Sequence, residues 1–200
     1  MRTLERLKKR LVEGETYRRG DFAKESSNVD RHLQQLVSEG LLKKLSTGLY
    51  LAPKKTSFGE APPDEQSLLR TFLNDDHFVV YSPSQFNSLG LGSTQLYNTR
   101  VVFNRKRSGE MTVGGRTYKF RYWREAPKVV SREFLVVELV NRLDDLAEDR
   151  TELLKNLKRK LPEMNSKKLS YALTHYGTVA AQKKFKRLKQ SDQSLRQVDP

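Results

Sequence analysis

The chain has 200 residues, a formal net charge of +14 and no cysteine, so neither a disulfide nor a thiolate metal site can form. His32, His77 and His175 stand alone without metal-ligand spacing, and no apolar run approaches the ~20 residues of a membrane span. So large a surplus of Lys and Arg points to a polyanionic partner, because cationic side chains on phosphates release condensed counterions.

That surplus is unevenly placed. Residues 1–55 carry 13 Lys and Arg against 7 acidic residues, residues 56–150 carry 13 against 13, and residues 151–200 carry 12 against 4. Both ends are basic around a neutral middle. Mean hydropathy is −0.73, yet scattered aromatics and clear apolar periodicity argue for a folded protein. The opening Met-Arg-Thr-Leu-Glu-Arg-Leu-Lys-Lys-Arg lacks an apolar signal core, and the expected setting is a reducing cytoplasm.

Leu4, Leu7 and Leu11 recur at helical spacing and predict an amphipathic helix over 3–13, stopped by Gly14. A short second helix is expected over 17–23, with Phe22 and Ala23 inward. Ser26, Ser27 and Asn28 supply N-cap candidates for a third helix, in which Val29, Leu33, Leu36 and Val37 face inward and which Gly40 ends. Its opposite face then carries Ser27, Asn28, Arg31, Gln35 and Ser38, with Gln34 at the margin. Such side chains hydrogen-bond base edges and phosphates, and a helix fits the DNA major groove. Leu41 to Leu45 reads as a strand, residues 46–48 as a turn, and Leu49 to Ala52 as the returning strand. A helix, a basic strand, a small Gly turn and a Tyr-bearing strand make the order of a winged helix-turn-helix, placed over residues 1–55. Lys43, Lys44 and Thr47 on the wing, and Arg18 and Arg19 before the second helix, are candidate phosphate contacts.

Residues 56–64 read as a linker within a polar, Pro-containing connector from Pro53 to Pro63. A second domain is expected over 65–200. Asp64 can cap a helix carrying Leu68, Leu69, Phe72 and Leu73, and Phe78 to Tyr81 reads as a strand. A short helix over 84–89 ending at Gly90, a strand over 97–104 and a basic turn over 105–109 follow. Residues 110–113 and 116–123 read as a hairpin joined by Gly114-Gly115, one face of it buried. From Ser131 a helix carries Leu135, Leu139, Leu143 and Leu146, with Val136 and Val140 beside them. Further helices are expected over 151–161, over 166–176 and from Thr178, with a polar, frayed tail from about 190. The fold class is therefore α+β: an N-terminal winged helix-turn-helix, a mixed α/β region and a basic C-terminal helical bundle. The outer faces of the last helices carry Lys155, Lys158, Arg159, Lys167, Lys168, Lys183, Lys184 and Arg187. Added nucleic-acid contact and docking of an acidic protein partner both fit these residues.

Catalytic signatures are missing. Gly90-Leu91-Gly92 is not a phosphate loop, there is no Gly-x-Ser-x-Gly elbow, and the turn Arg105-Lys106-Arg107 has no acidic cluster to hold a nuclease's metal. No enzyme activity, cofactor or metal is expected.

Three segments carry a family resemblance. They are Tyr17-Arg18-Arg19-Gly20-Asp21-Phe22 through Glu39-Gly40-Leu41-Leu42 and Gly48-Leu49-Tyr50-Leu51, then Tyr81-Ser82-Pro83-Ser84 through Leu89-Gly90-Leu91, and Tyr176-Gly177-Thr178-Val179-Ala180-Ala181-Gln182-Lys183-Lys184-Phe185. With the element order, they resemble the AbiEi-type antitoxins of abortive-infection, type IV toxin–antitoxin systems. The resemblance implies an N-terminal domain that binds inverted repeats in double-stranded promoter DNA and represses its own operon. It further implies a C-terminal domain that counters a nucleotidyltransferase-like toxin, with or without a stable complex. The competing expectation is a plain winged-helix transcription factor whose C-terminal domain senses a ligand or drives dimerisation.

Overall fold

The computed structural model describes residues 3–193. The chain is mixed α+β and forms two compact units, one of residues up to 78 together with 104–122, the other of residues 79–103 together with the chain from 123. Residues 65–78 and the hairpin after 104 thus pack with the N-terminal segment, whereas the sequence reading starts its second domain at 65. None of the described helices is long and apolar enough to cross a membrane.

The first unit opens with α1 (Thr3–Arg10), β1 (Thr16–Arg18), α2 (Arg19–Ala23), α3 (Val29–Ser38), β2 (Lys43–Ser46) and β3 (Leu49–Leu51). The strands form an antiparallel sheet in the order β1-β3-β2. Leu7, Phe22, Leu33 and Leu36 are closed off from solvent and form its core with Tyr17, Val29, Leu42 and Ala52. Burial of each large apolar side chain contributes roughly 1.5–3 kcal/mol.

Three local expectations are corrected here. Tyr17 lies in β1 opposite Tyr50, not in a helix, and its ring packs 5.6 Å from that of Phe22. The helix begins only at Arg19, where the Asp21 carboxylate accepts the Arg18 backbone N–H at 2.7 Å. Leu41 and Leu42 do not start a strand, because both backbone N–H groups donate to the Leu36 carbonyl and close α3. Val37 is 37% exposed, since Val29, Leu33 and Leu36 already fill the inward face.

The connector after β3 also holds a small hairpin, β4 (Lys55–Thr56) and β5 (Gly59–Glu60), inside the expected linker. Next comes α4 (Glu65–Leu73), capped as expected by Asp64, whose side chain accepts the Ser67 N–H at 2.8 Å. The Thr16 hydroxyl on β1 donates to that of Thr71 on α4 at 2.8 Å. β6 (Phe78–Tyr81) and β7 (Arg100–Asn104) belong in the main to the second unit. The first unit ends in the hairpin of β8 (Gly109–Val113) and β9 (Arg116–Tyr122). Its two-residue turn needs left-handed backbone twice, and Gly114 and Gly115 supply it with φ of 60° and 81°. Tyr118 and Phe120 are buried, but Tyr122 on the same face is 56% exposed.

In the second unit β6 lies beside β7, and a 3-10 segment (Pro83–Leu89) ends at Gly90 in left-handed backbone. The helices are α5 (Arg132–Asn141), α6 (Arg150–Lys160), α7 (Ser166–Tyr176) and α8 (Val179–Gln193). The ring of Phe134 meets those of Tyr81, Phe103 and Tyr176 edge-on at 5.4–5.7 Å. Every residue of α5 from Glu133 to Val140 is buried. The expected continuation of this helix to Leu146 is broken after Asn141, where a 3-10 turn (Leu143–Asp145) takes over. The tail expected to fray extends, from residue 194, outside the described residues.

Candidate nucleic-acid interface

The outward face of α3 and the loop before it present Ser27, Asn28, Arg31, Gln34, Gln35 and Ser38, all exposed. The Ser26 hydroxyl sets the start of the helix. It accepts the Asn28 backbone N–H at 3.2 Å and bonds the His32 ring at 2.7 Å, so neither Ser27 nor Asn28 spends its side chain on a cap. The far end is tied to α1, where the Lys8 ammonium lies 2.8 Å from Glu39. That hydrogen bond holds the Glu39 carboxyl below its ordinary range.

On this face the side chains of Arg31 and Gln34 make no hydrogen bond or ion pair among the described residues. Gln35 donates to Glu39 at 3.2 Å, and the Ser38 hydroxyl donates to the carbonyl of Gln35 at 2.8 Å. A groove of about 430 Å³ runs between α3 and the β2–β3 pair, lined by Asp30, Leu33, Gln34, Val37, Ser38, Lys44 and Tyr50. Asp30, Val37 and Tyr50 did not emerge as site residues from the sequence. The signal for Tyr50 is strand alternation, for with Leu49 and Leu51 buried the residue between them faces the other way.

The five candidates outside α3 divide. Lys44 and Thr47 are exposed, and Lys44 lines the groove. Lys43 turns to Glu60 on β5, with its ammonium 2.8 Å from the carboxylate. The half-buried Arg18 guanidinium reaches toward the carbonyl of Thr71 on α4 at 3.5 Å. Arg19 makes a two-pronged bridge to Asp30, Nε to Oδ1 and Nη2 to Oδ2, each at 2.7 Å. That hydrogen bonding depresses the Asp30 carboxyl and raises the Arg19 guanidinium, so both stay charged and α2 is clamped to the first turn of α3. The arrangement leaves a helix face of neutral amide and hydroxyl groups with one guanidinium, beside a strand carrying a free ammonium.

The C-terminal basic residues lie in the other unit. Lys155 and Arg159 border a shallow groove of about 310 Å³ with Asp149, Thr151, Glu152 and Asn156, and Arg159 donates to the Asn156 carbonyl oxygen. Lys167 and Lys168 are exposed in the first turn of α7. On α8, Lys183 and Arg187 are exposed one turn apart, while Lys184 is half-buried, as is Lys158 on α6. The described residues hold no group of three or more His, Asp or Glu placed to bind a metal.

No protein-family model matches the chain, and no curated protein matches it. Among solved structures it is similar to the RV2827C protein of Mycobacterium tuberculosis. The two share 15% identity and a TM-score of 0.55, over 94% of this chain and 74% of that one. At this identity the likeness is one of fold, a mixed α+β chain with a helical C-terminal region.

Proposed function

We propose that this chain is a cytoplasmic, double-stranded-DNA-binding regulator that represses its own operon, and an antitoxin of the AbiEi type opposing a nucleotidyltransferase-like toxin. Its first unit is read as a winged helix-turn-helix, with α3 as recognition helix and β2–β3 as wing. The observation that carries the reading is the exposed row of Asn28 just before α3 and Arg31, Gln34 and Gln35 on it, with Arg31 and Gln34 unpartnered among the described residues, beside the free ammonium of Lys44. Arg pairs bidentately with guanine and Gln or Asn with adenine, so such a row can read base edges while the strand holds phosphate. The element order α1-β1-α2-α3-β2-β3, with β3 between the other two strands, supports the same assignment. The antitoxin half rests on the family resemblance of the three sequence segments.

The test is binding of the full-length chain to duplexes tiled across the region upstream of its own gene, with co-expression of the adjacent gene product. Tight binding to one inverted repeat and rescue of growth from a toxic neighbour are expected. Equal affinity for every tile removes the repressor half, and growth arrest unrelieved by the chain removes the antitoxin half.

A further inference from the structure

The β4–β5 hairpin carries a residue that its own fold does not explain. Its turn is Ser57-Phe58, and Phe58 is 100% exposed. Tight two-residue turns favour Gly, Asn and Asp, which supply the backbone geometry, so an aromatic ring at this tip adds nothing to the turn. Yet the hairpin is firmly built. The Thr56 hydroxyl donates to the Gly59 carbonyl at 2.8 Å and accepts the Phe58 N–H at 3.3 Å, and Gly59 adopts φ 109°. The base is closed by the Ala61 N–H on the Lys54 carbonyl at 2.9 Å, and the Lys43–Glu60 pair braces the finger against β2.

Charge identifies the occupant. From Lys43 to Gly59 the chain holds four lysines, Lys43, Lys44, Lys54 and Lys55, and no acidic residue. Glu60, the carboxylate on the returning strand of the hairpin, is already taken by Lys43. A hydrogen-bonded finger with a bare ring at its tip and ammonium groups behind it matches a surface of stacked bases edged by phosphates. Apolar wedges of this kind enter the minor groove and part a base step. We propose that Phe58 is such a wedge, inserted into the minor groove of the duplex that α3 reads. The inference rests on the DNA-binding reading and adds to it a second, aromatic contact on a separate hairpin.

The experiment uses the full-length chain and a duplex of about 30 base pairs, selected by that chain from a random pool and scanned with 2-aminopurine. One step should brighten on binding as its stacking is lost. Phe58→Ala should abolish that signal and weaken binding about ten-fold, while Phe58→Leu keeps part of both. Protection of guanine N7 in the major groove should survive in Phe58→Ala, which separates the wedge from the recognition helix. Since Phe58 is fully exposed, the variant should unfold as the wild type does. Unchanged affinity and an unchanged brightened step in Phe58→Ala would overturn the proposal. So would loss of self-association by that variant in sedimentation with duplex affinity intact, which would assign the tip to a second copy of the chain. A wild-type chain that binds no duplex at all would remove the DNA-binding reading and the wedge together, a result distinct from either.

Discussion

Two ten-residue helices, α3 and α5, show how the same length of chain serves opposite ends. α3 buries one face through Val29, Leu33 and Leu36 and leaves the other to solvent, with Arg31 and Gln34 unsatisfied within the described residues. α5 is buried on every side from Glu133 to Val140, and the polar groups Glu138 and Asn141 toward its C-terminal end are engaged internally. The Glu138 carboxylate accepts the Tyr81 hydroxyl at 2.6 Å and faces Arg142 Nε at 3.4 Å. Asn141 donates to Glu138 and to the Tyr176 carbonyl, and accepts the Thr178 N–H, fastening the junction of α7 and α8. Polar groups inside a protein must be paired, whereas those left open on a surface are available to a partner. Substitutions on α5 should therefore register in stability and those on α3 in binding.

The largest effect should come from Glu138→Ala, which leaves the buried Arg142 and Tyr81 without their shared acceptor. Breaking a buried pair from one side costs about 3–5 kcal/mol. Trp123, the chain's one tryptophan, packs near Phe103 and Tyr176 in the same unit and reports the loss by fluorescence in urea. An unfolding midpoint equal to the wild type's would mean that the α5 network is dispensable. Arg31→Ala should leave that midpoint in place and reduce discrimination between a selected duplex and a scrambled one by about 1–3 kcal/mol. Equal discrimination by the two proteins would remove α3 as the reading element.

The contrast also marks where the sequence is legible. α3 could be read because one-sided amphipathicity imposes a period, and Gly40 and the Asp64 cap of α4 were readable for the same kind of local reason. α5 has no such period, since burial on all sides erases it, and a leucine spacing running to Leu146 suggested a longer helix than the one that stops at Asn141. Tyr17 was misread because its strand is three residues long and exists only by pairing with β3, far away in sequence. The β4–β5 finger was missed because Pro53, Pro62 and Pro63 bracket a stretch with the composition of a linker. At the candidate interface, the exposed row on α3 follows from helical geometry, but the engagement of Lys43 by Glu60 and of Arg19 by Asp30 depends on packing that no local pattern encodes.

Acid should act on both units, since Asp30 and Glu39 in the first also have depressed carboxyls. In the second unit Glu148 accepts hydrogen bonds from Ser93 at 2.7 Å and from Tyr97 at 2.9 Å. Burial, the largest single influence, would raise its pKa, but these bonds together with the backbone N–H groups of Glu148 and Gln95 outweigh it and hold the carboxyl below the usual value. A depressed carboxyl contributes stability above the unfolded pKa and loses it as pH falls through the folded one. Tyr97→Phe should therefore destabilise by about 1 kcal/mol at neutral pH, with the gap to wild type narrowing in acid below the carboxylate range to what the lost acceptor of the Ala147 N–H leaves. A gap that stays constant with pH would show that Glu148 does not govern the acid limb.

The smallest effect separates two adjacent lysines of β2. Counterions are released only by cations that reach phosphate, so a lysine already held by a carboxylate adds little to the salt dependence of binding. Lys44, which is unpaired, should on conversion to Ala lower the slope of log affinity against log salt by about 1, uniformly across sequences. Lys43→Ala should leave that slope nearly unchanged and weaken binding only because the bared Glu60 carboxylate then faces the polyanion. Removing both partners, in Lys43→Met with Glu60→Gln, should restore the wild-type affinity, since the pair as a whole is neutral. Equal slopes lost by Lys43→Ala and Lys44→Ala would show that the Lys43–Glu60 bridge opens on binding and that both ammonium groups reach the backbone.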